Sequence, residues 1–189
     1  DDELLDVVAL AHAAGDARLA LRLARIGVEQ LGRFDDLRRL ADVAHEQGEV
    51  DDVEDAIARM ADRATSLDEH AAVAVARSQH LLWRRADGGG AVAALDGSPA
   101  IALAEVQAVR ARLLATIGQA AVAVSAAGGL RLHDSPRVRM QAALAVAHGL
   151  RRLGEPTRAV AVLDDAIATA AVVDDPVLTV SAQVLRLVN

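Results

Sequence analysis

A recurring arrangement of a glycine followed by small or apolar residues constrains this sequence more than any other feature. Gly154 is followed by Ala159, Leu163 and Ala166, at the fifth, ninth and twelfth positions after it. These offsets lie on one face of an α-helix, where small side chains let a second helix approach closely. The same spacing follows three earlier glycines: Gly15 with Ala20, Ala24 and Gly27; Gly48 with Val53, Ile57 and Met60; and Gly118 with Ala123 and Ala127. The chain is therefore predicted to consist of repeats.

Local signals along the chain predict helices throughout. Asp16 is suited to cap one helix, and Ser66 with Glu69 has the spacing of a capping box before another. Each of the four prolines follows a residue able to cap, so each is predicted to be the first residue of a helix, where its missing N–H costs nothing: Pro99, Pro136, Pro156 and Pro176. No strand-like alternation is sustained. The sequence predicts an all-α fold with about eleven helices.

The helices are expected to pair into hairpins. The glycines at 15, 48, 118 and 154 leave one repeat, near residues 84–88, without a clean glycine. Filling that gap gives a period of roughly 34–35 residues, the length of a tetratricopeptide-type helix–turn–helix unit. Such units stack to bury each other's apolar sides, so residues 1–189 are predicted to form one domain, a right-handed superhelix or α-solenoid with a concave groove. The predicted pairs are 3–14/16–31, 34–47/50–65, 67–86/89–95, 99–117/119–127 and 135–153/155–171, followed by a lone helix over 176–188.

The lone last helix carries two apolar faces. Val177, Val180, Val184 and Leu187 are predicted to pack against the preceding pair, which leaves Leu178 and Leu185 for a missing partner. Exposed apolar ends also make a homodimer through those ends one expected form of association.

Composition excludes several classes of protein. Hydrophobic residues make up 53% of the chain, with one Trp and one Phe, so Ala, Leu and Val must form the core. Without cysteine there are no disulfides or thiolate metal sites. The net charge of −7 argues against nucleic-acid binding, and no apolar run is long enough for a membrane span. A cytoplasmic location is expected.

Because the chain opens DDELLDVV without an initiator methionine and ends in a helical pattern, it is interpreted as a fragment of a larger multidomain protein.

No catalytic or cofactor motif is present in the sequence. The six histidines do not form HExxH or another convincing ligand spacing, so neither a metal nor a cofactor is expected. The paired acids lie mostly at predicted helix starts, where the helix dipole favours them. The triple glycine at 88–90 lacks the lysine of a phosphate-binding loop. A non-enzymatic role is therefore predicted, and an active site without a known motif is the remote alternative.

The predicted concave groove offers the best candidate site. The first helix of each hairpin should line it, and counting back from the anchor glycines by two, three, six, ten and thirteen residues selects the inward-facing positions. In the second and fifth pairs these are Asp35, Arg38, Asp42, His45, Glu46, Gln141, Leu144, His148, Arg151 and Arg152. The fourth pair gives Glu105, Arg112 and Thr116, and the third, whose anchor is uncertain, gives Arg77, His80 or Arg84 near Trp83.

Arginines and an aromatic residue define the chemistry expected of that groove. Arginine forks suit carboxylate or phosphate groups, and Trp83 is the best aromatic anchor. The simpler interpretation is that Trp83 fills the core between hairpins and that the arginines form an ordinary solvated face. The expected ligand is a protein or peptide partner, or a small effector.

Several segments, in order, are similar to a known family: GDARLALRLARIGVEQ, HEQGEVDDVEDAIARMADRA, SQHLLWRRADGGGAVAALD, VRARLLATIGQAAVAV and LRRLGEPTRAVAVLDDAI. They resemble the helical middle region of large ATP-binding LuxR-type bacterial transcriptional regulators, over roughly residues 4–172. The resemblance implies a sensor that relays effector or partner binding to ATPase and DNA-binding domains. Since this chain has neither a P-loop nor a recognisable helix-turn-helix, it should carry out neither activity itself. The alternative is a tetratricopeptide protein–protein scaffold from another multidomain protein.

Overall fold

The structure, a computed structural model, describes residues 3–169 and 176–188, and every regular element in those ranges is a helix. The all-α prediction is confirmed. A short 3₁₀ helix, Gly129–Leu132, follows the eighth α-helix. In chain order the α-helices are α1 (Glu3–Ala13), α2 (Ala17–Gln30), α3 (Phe34–Gln47), α4 (Val50–Arg63), α5 (Leu67–Arg85), α6 (Gly88–Asp96), α7 (Ala104–Thr116), α8 (Ala120–Gly128), α9 (Pro136–Arg152), α10 (Pro156–Thr169) and α11 (Pro176–Leu187).

The helices form two compact units, Asp1–Ala100 and Ile101–Asn189. In the N-terminal unit the hairpins α1/α2, α3/α4 and α5/α6 follow one another, and their first helices α1, α3 and α5 are neighbours. We call the exposed surface of α1, α3 and α5 the first-helix face. In the C-terminal unit α7 pairs with α8 and α9 with α10, while α9 also contacts α7, α8 and α11. The helix pairs predicted from the repeat spacing are the pairs observed.

A residue with left-handed backbone geometry ends the first helix of each hairpin. The four anchor glycines have φ between 78° and 92°. At Gly48, the N–H bonds back to the carbonyl oxygen of His45, and the next N–H, of Glu49, bonds to that of Ala44 (3.0 Å). These bonds satisfy carbonyl groups that the helix end would leave unpaired. In the repeat without an anchor glycine, Ala86 occupies the equivalent place with φ 51°.

Small and branched aliphatic side chains fill the core of each unit, as the composition predicts. The small and apolar residues spaced along the helix after each anchor glycine are buried. Ala159 and Leu163, the fifth and ninth residues after Gly154, are fully enclosed. One cluster gathers α1 to α4 with Val73 of α5, and a second gathers α9 to α11 with parts of α7 and α8. The small residues at the helix contacts therefore allow neighbouring helices to pack closely, as their spacing indicates.

Side-chain caps begin several helices where the sequence predicts them. Asp16 accepts a hydrogen bond from the Leu19 N–H (3.0 Å). The predicted capping box is present, because Ser66 Oγ accepts from the Glu69 N–H (3.2 Å) and Glu69 Oε2 accepts from the Ser66 N–H (2.9 Å). Three of the prolines, at 136, 156 and 176, begin helices.

The prediction that Pro99 begins a helix is wrong. The Ser98 hydroxyl accepts from the Ala100 N–H (3.1 Å), two residues on, which stabilises a turn and leaves the N–H three residues on without a cap. Turns and bends continue to residue 103, and α7 begins at Ala104.

The predicted packing face of α11 is also wrong. Leu178 and Ala182 are buried and Leu185 packs beside them, against the core of the C-terminal unit. Val180, Val184 and Leu187 are exposed, and the Val177 side chain lies outside the described residues. Both faces are apolar, but only the buried face carries the small Ala182 at its centre, which permits a closer approach to α9 and α10.

Candidate functional site

A cleft of about 390 Å³ lies between the beginnings of α3 and α5 on the first-helix face. It lies there because both helices start at the same end of neighbouring hairpins. The half-buried Phe34 ring packs on the core cluster below and forms part of the wall. The lining residues are Arg33, Phe34, Asp35, Arg38, Asp68, Glu69 and Ala72.

A second cleft, of about 290 Å³, adjoins the first on the side of α1. It shares Asp35 and Arg38 with the first cleft and is otherwise lined by Leu5, Arg39 and Asp42. The two clefts together cross all three first helices of the N-terminal unit. Asp35, Arg38 and Asp42, which the sequence predicts to face inward on a concave groove, all line this second cleft.

Two of the charged groups that line the first cleft are engaged within the protein. The Arg33 side chain donates through Nε to Oδ2 of the buried Asp36 (3.0 Å), so its charge is paired. Glu69 accepts hydrogen bonds from the N–H groups of Thr65 and Ser66 (2.8 and 2.9 Å). These backbone donors lower the pKa of Glu69 to about 2.

Three other side chains in the clefts remain available to a ligand. Asp35, Arg38 and Asp68 are exposed, and their side chains form no hydrogen bond or ion pair within 4.0 Å to the residues that the structure describes. Asp42 as a residue is exposed, but neighbouring atoms surround its carboxyl group and exclude water from it. This loss of hydration raises the pKa of Asp42, and the positive charges of Arg38 and Arg39 only partly offset the increase.

At the other end of the first helices, polar contacts join successive hairpins. His12 Nε2 lies 2.6 Å from Glu46 Oε2, which connects α1 to α3. Arg84 donates to the carbonyl oxygen of His45, which connects α5 to α3. The pKa of His45 is lowered mainly by partial burial, and the charges of Arg84 and His80 lower it further. Two predicted groove residues, His45 and Arg84, are therefore in contact, but their contact is part of the scaffold.

The His80 ring is buried and is not part of the first-helix face. Only 4% of the residue is exposed, and its Nε2 lies 3.0 Å from Glu54 Oε1 on α4. The Nδ1 atom has no hydrogen-bond partner among the described residues. Arg85 also pairs with Glu54, and the Arg85 and His80 hydrogen bonds lower the pKa of this carboxyl group. The prediction that His80 lines a groove is thus corrected: the ring connects α5 to α4.

Trp83 and Arg77 of α5 are exposed. Trp83 keeps 61% of its surface accessible, so it does not fill the core, and the interpretation of this residue as core packing is wrong. Arg77 forms no ion pair or side-chain hydrogen bond with a described residue. Both side chains are therefore accessible to a partner.

In the C-terminal unit, Arg152 contacts two other predicted residues, His148 on α9 and Thr116 on α7. Its guanidinium donates through Nε to His148 Nε2 (3.4 Å) and through Nη2 to the carbonyl oxygen of Thr116 (3.4 Å). Partial burial and the charges of Arg152 and Arg151 lower the pKa of His148, which keeps the ring neutral and able to accept. Arg151 is exposed and Arg112 of α7 is half-buried.

Arg84 and Arg152 have equivalent roles. Each is near the end of a first helix and donates to a carbonyl oxygen at the end of the preceding first helix in its own unit. A cation there satisfies an unpaired carbonyl group and opposes the negative end of the helix dipole. Leu144, predicted to face inward to the groove, is instead buried in the core of the C-terminal unit.

Sequence reasoning missed seven of the lining residues: Leu5, Arg33, Phe34, Arg39, Asp68, Glu69 and Ala72. Counting back from the helix ends reaches at most the thirteenth residue, which stops short of Phe34 and of the first turns of the long helix α5. The positions of the helix starts, marked by the capping box at Ser66, are the signal that could have located them.

The described ranges hold neither a metal-binding cluster nor a membrane-spanning helix. No group of three or more His, Cys, Asp or Glu side chains within residues 3–169 and 176–188 has an arrangement suited to a metal ion. None of the helices that the structure describes is long and apolar enough to cross a membrane.

Two solved structures are similar to this chain over nearly its full length. The crystal structure of TTC0263, a thermophilic tetratricopeptide repeat (TPR) protein of Thermus thermophilus, has a TM-score of 0.69 and 20% sequence identity, covering 98% of each chain. The structure of YrrB, a TPR protein with an unusual peptide-binding site, has a TM-score of 0.50 and 15% sequence identity. The match covers 95% of this chain and 90% of the YrrB chain. No family model matches the sequence, and no curated protein matches it. At these identities the likeness establishes the fold, which is an all-α array of TPR-like helical hairpins.

Proposed function

We propose that this chain is a non-catalytic docking domain that binds an extended protein segment on the first-helix face of its N-terminal unit. The observation that carries the proposal is the continuity of the two clefts, which share Asp35 and Arg38 and together cross α1, α3 and α5. A continuous, open surface suits an extended chain better than it suits an enclosed small molecule.

The chemistry of the face supports docking. Exposed charges without an internal hydrogen bond or close ion pair to the described residues, among them Arg38 and Asp68, can pair with a ligand without breaking such a contact. Trp83, on α5, adds an exposed aromatic ring of the kind enriched in protein interfaces. YrrB, whose fold is similar, has a peptide-binding site, which is consistent with a peptide ligand here.

A peptide selection tests this proposal. Random peptides displayed on phage are selected against the intact chain, and the enriched peptides are then measured by fluorescence anisotropy. Arg38→Ala should weaken their binding about threefold or more, through loss of a charged contact. Arg22→Ala, which removes an exposed arginine from the second helix α2, is the matched control and should leave binding unchanged. Failure to enrich any peptide, or equal binding by Arg38→Ala, would contradict docking at this face.

We also propose that the docking domain belongs to a LuxR-type regulator in the cytoplasm and relays binding of an effector or partner to ATPase and DNA-binding domains. Support comes from the ordered resemblance of five segments between GDARLALRLARIGVEQ and LRRLGEPTRAVAVLDDAI. Sequencing the flanking parts of the gene tests this proposal. A P-loop upstream and a helix-turn-helix downstream are expected, and their absence would leave the scaffold of another multidomain protein as the function.

A further inference from the structure

We propose, on the basis of the docking function above, that the cleft between α3 and α5 receives an arginine side chain of the docked segment. The other cleft, between α1 and α3, is also lined by two arginines, Arg38 and Arg39, but it has two carboxylates where the first cleft has three. The two clefts therefore present different charges to the two parts of one bound chain.

The charges that line the cleft favour a cation. Three carboxylates, those of Asp35, Asp68 and Glu69, lie on its walls. Of the two guanidinium groups present, that of Arg33 is already paired with the buried Asp36, with distances of 3.0 and 3.3 Å. The pKa of Glu69, about 2, keeps that residue ionised at neutral pH. A bound cation would therefore meet an excess of negative charge.

The carboxylates in the cleft differ in availability. Glu69 is held by the N–H groups of Thr65 and Ser66 and contributes charge from a fixed position. Asp35 and Asp68 have no side-chain hydrogen bond or ion pair to the described residues, so their oxygens are available to accept from a ligand. Two carboxylates from two different helices can share the five N–H donors of one guanidinium group.

The wall of the cleft favours arginine over lysine. Phe34, the chain's one phenylalanine, is held by its contact with the core cluster, and Ala72 is the apolar residue on the α5 side. A planar guanidinium group stacks on an aromatic ring and is less strongly hydrated than an ammonium group. The cleft therefore combines an aromatic surface with carboxylate acceptors, which is a combination that suits a guanidinium group.

An NMR titration of the intact chain with N-acetyl-arginine methylamide tests this subsite without a known partner. The ring signals of the single phenylalanine report directly on the cleft. We expect a saturable shift of these signals in the millimolar range, weakened by added salt. The Asp35→Asn and Asp68→Asn variants should each raise the dissociation constant about threefold or more. Asp62→Asn, which neutralises an exposed carboxylate on α4, should leave it unchanged.

The citrulline analogue of the same probe is the second control, because it has nearly the same shape and no charge. It should produce no saturable shift. Equal shifts by both probes, no shift with arginine, or insensitivity to both aspartate substitutions would overturn the arginine subsite. Selected peptides that still depend on Arg38 would then show that docking holds with a different chemistry. Loss of peptide binding altogether would instead overturn the docking function.

Discussion

Ala86 has the left-handed geometry that glycine adopts at the other four hairpin turns, with φ 51°. The Cβ atom makes this conformation unfavourable by roughly 1–2 kcal/mol for a residue other than glycine. Ala86→Gly is therefore expected to increase the free energy of unfolding by about 1 kcal/mol, part of the gain being offset by the greater entropy of glycine in the unfolded chain. Urea denaturation followed by circular dichroism measures the change.

The reverse substitution at Gly154 is the matched control. Its φ is 80°, and a Cβ atom there would have no atom within 4 Å, so the substitution changes the backbone energy alone. Gly154→Ala should lower the free energy of unfolding by about 1 kcal/mol. If Ala86→Gly also lowered the free energy of unfolding, the left-handed geometry of Ala86 would not be the source of strain.

Glu69 should make the stability of the protein depend on acid pH. Its pKa in the folded state is about 2, below the ordinary value of 4.5, because Thr65 and Ser66 donate backbone hydrogen bonds to the ionised form. The stabilisation is therefore complete above pH 4.5 and is lost as the pH falls towards 2. Urea denaturation at several pH values should show that, between pH 4.5 and 2, the free energy of unfolding decreases less steeply with falling pH in Glu69→Gln than in the unsubstituted protein. Parallel pH profiles of the two proteins would contradict the capping role.

At the scale of whole helices, the contact between α8 and α9 depends on Gly149. A Cβ atom there would lie 2.6 Å from Val124 Cγ2 and 3.0 Å from the carbonyl oxygen of Ala120. Alanine normally favours a helix by about 1 kcal/mol over glycine. Inserting a methyl group into a well-packed contact costs about 1–3 kcal/mol, so Gly149→Ala should be destabilising despite the higher helix propensity of alanine.

Gly27→Ala on α2 is the comparison for that packing effect. Its added Cβ atom would meet the end of the flexible Leu4 side chain at 3.3 Å, and no backbone atom is among its nearest neighbours within 4 Å. The thermal midpoint of Gly27→Ala should therefore fall less than that of Gly149→Ala, or rise. A larger loss for Gly27→Ala would show that the close approach of α8 and α9 is not the cause.

Most helix boundaries could be predicted from the sequence because their signals are local; the start of α7, predicted at Pro99, is the exception. A glycine that ends a helix, such as Gly48, and a cap such as Ser66 act within a few residues of themselves. The packing face of α11 could not be predicted in this way. Both of its faces are apolar, and the choice depends on how closely Ala182 lets it approach helices distant in sequence.

The candidate site was predictable in part for the same reason. Counting back from the helix ends predicts that Arg38 faces inward on a groove, and in the structure Arg38 lines both clefts. The contribution of Phe34 and Asp68 depends on which helix starts are neighbours, which is a property of the assembled hairpins. Arg84 and Arg152 have a charge that suits a ligand, but each instead binds a carbonyl oxygen of a neighbouring helix.

At the scale of the whole molecule, the central claim is that a partner docks on the first-helix face. The chain has no cysteine, so single cysteines that carry a photo-reactive benzophenone can be introduced without background labelling. A peptide from the phage selection is irradiated with the labelled variants, and the cross-linked products are quantified by mass spectrometry. Labels at Leu5, Arg39 and Ala72 should cross-link efficiently, whereas labels at Arg22 on α2 and Asp62 on α4 should not. Efficient cross-linking from the second helices, with little from α1, α3 and α5, would contradict docking on this face.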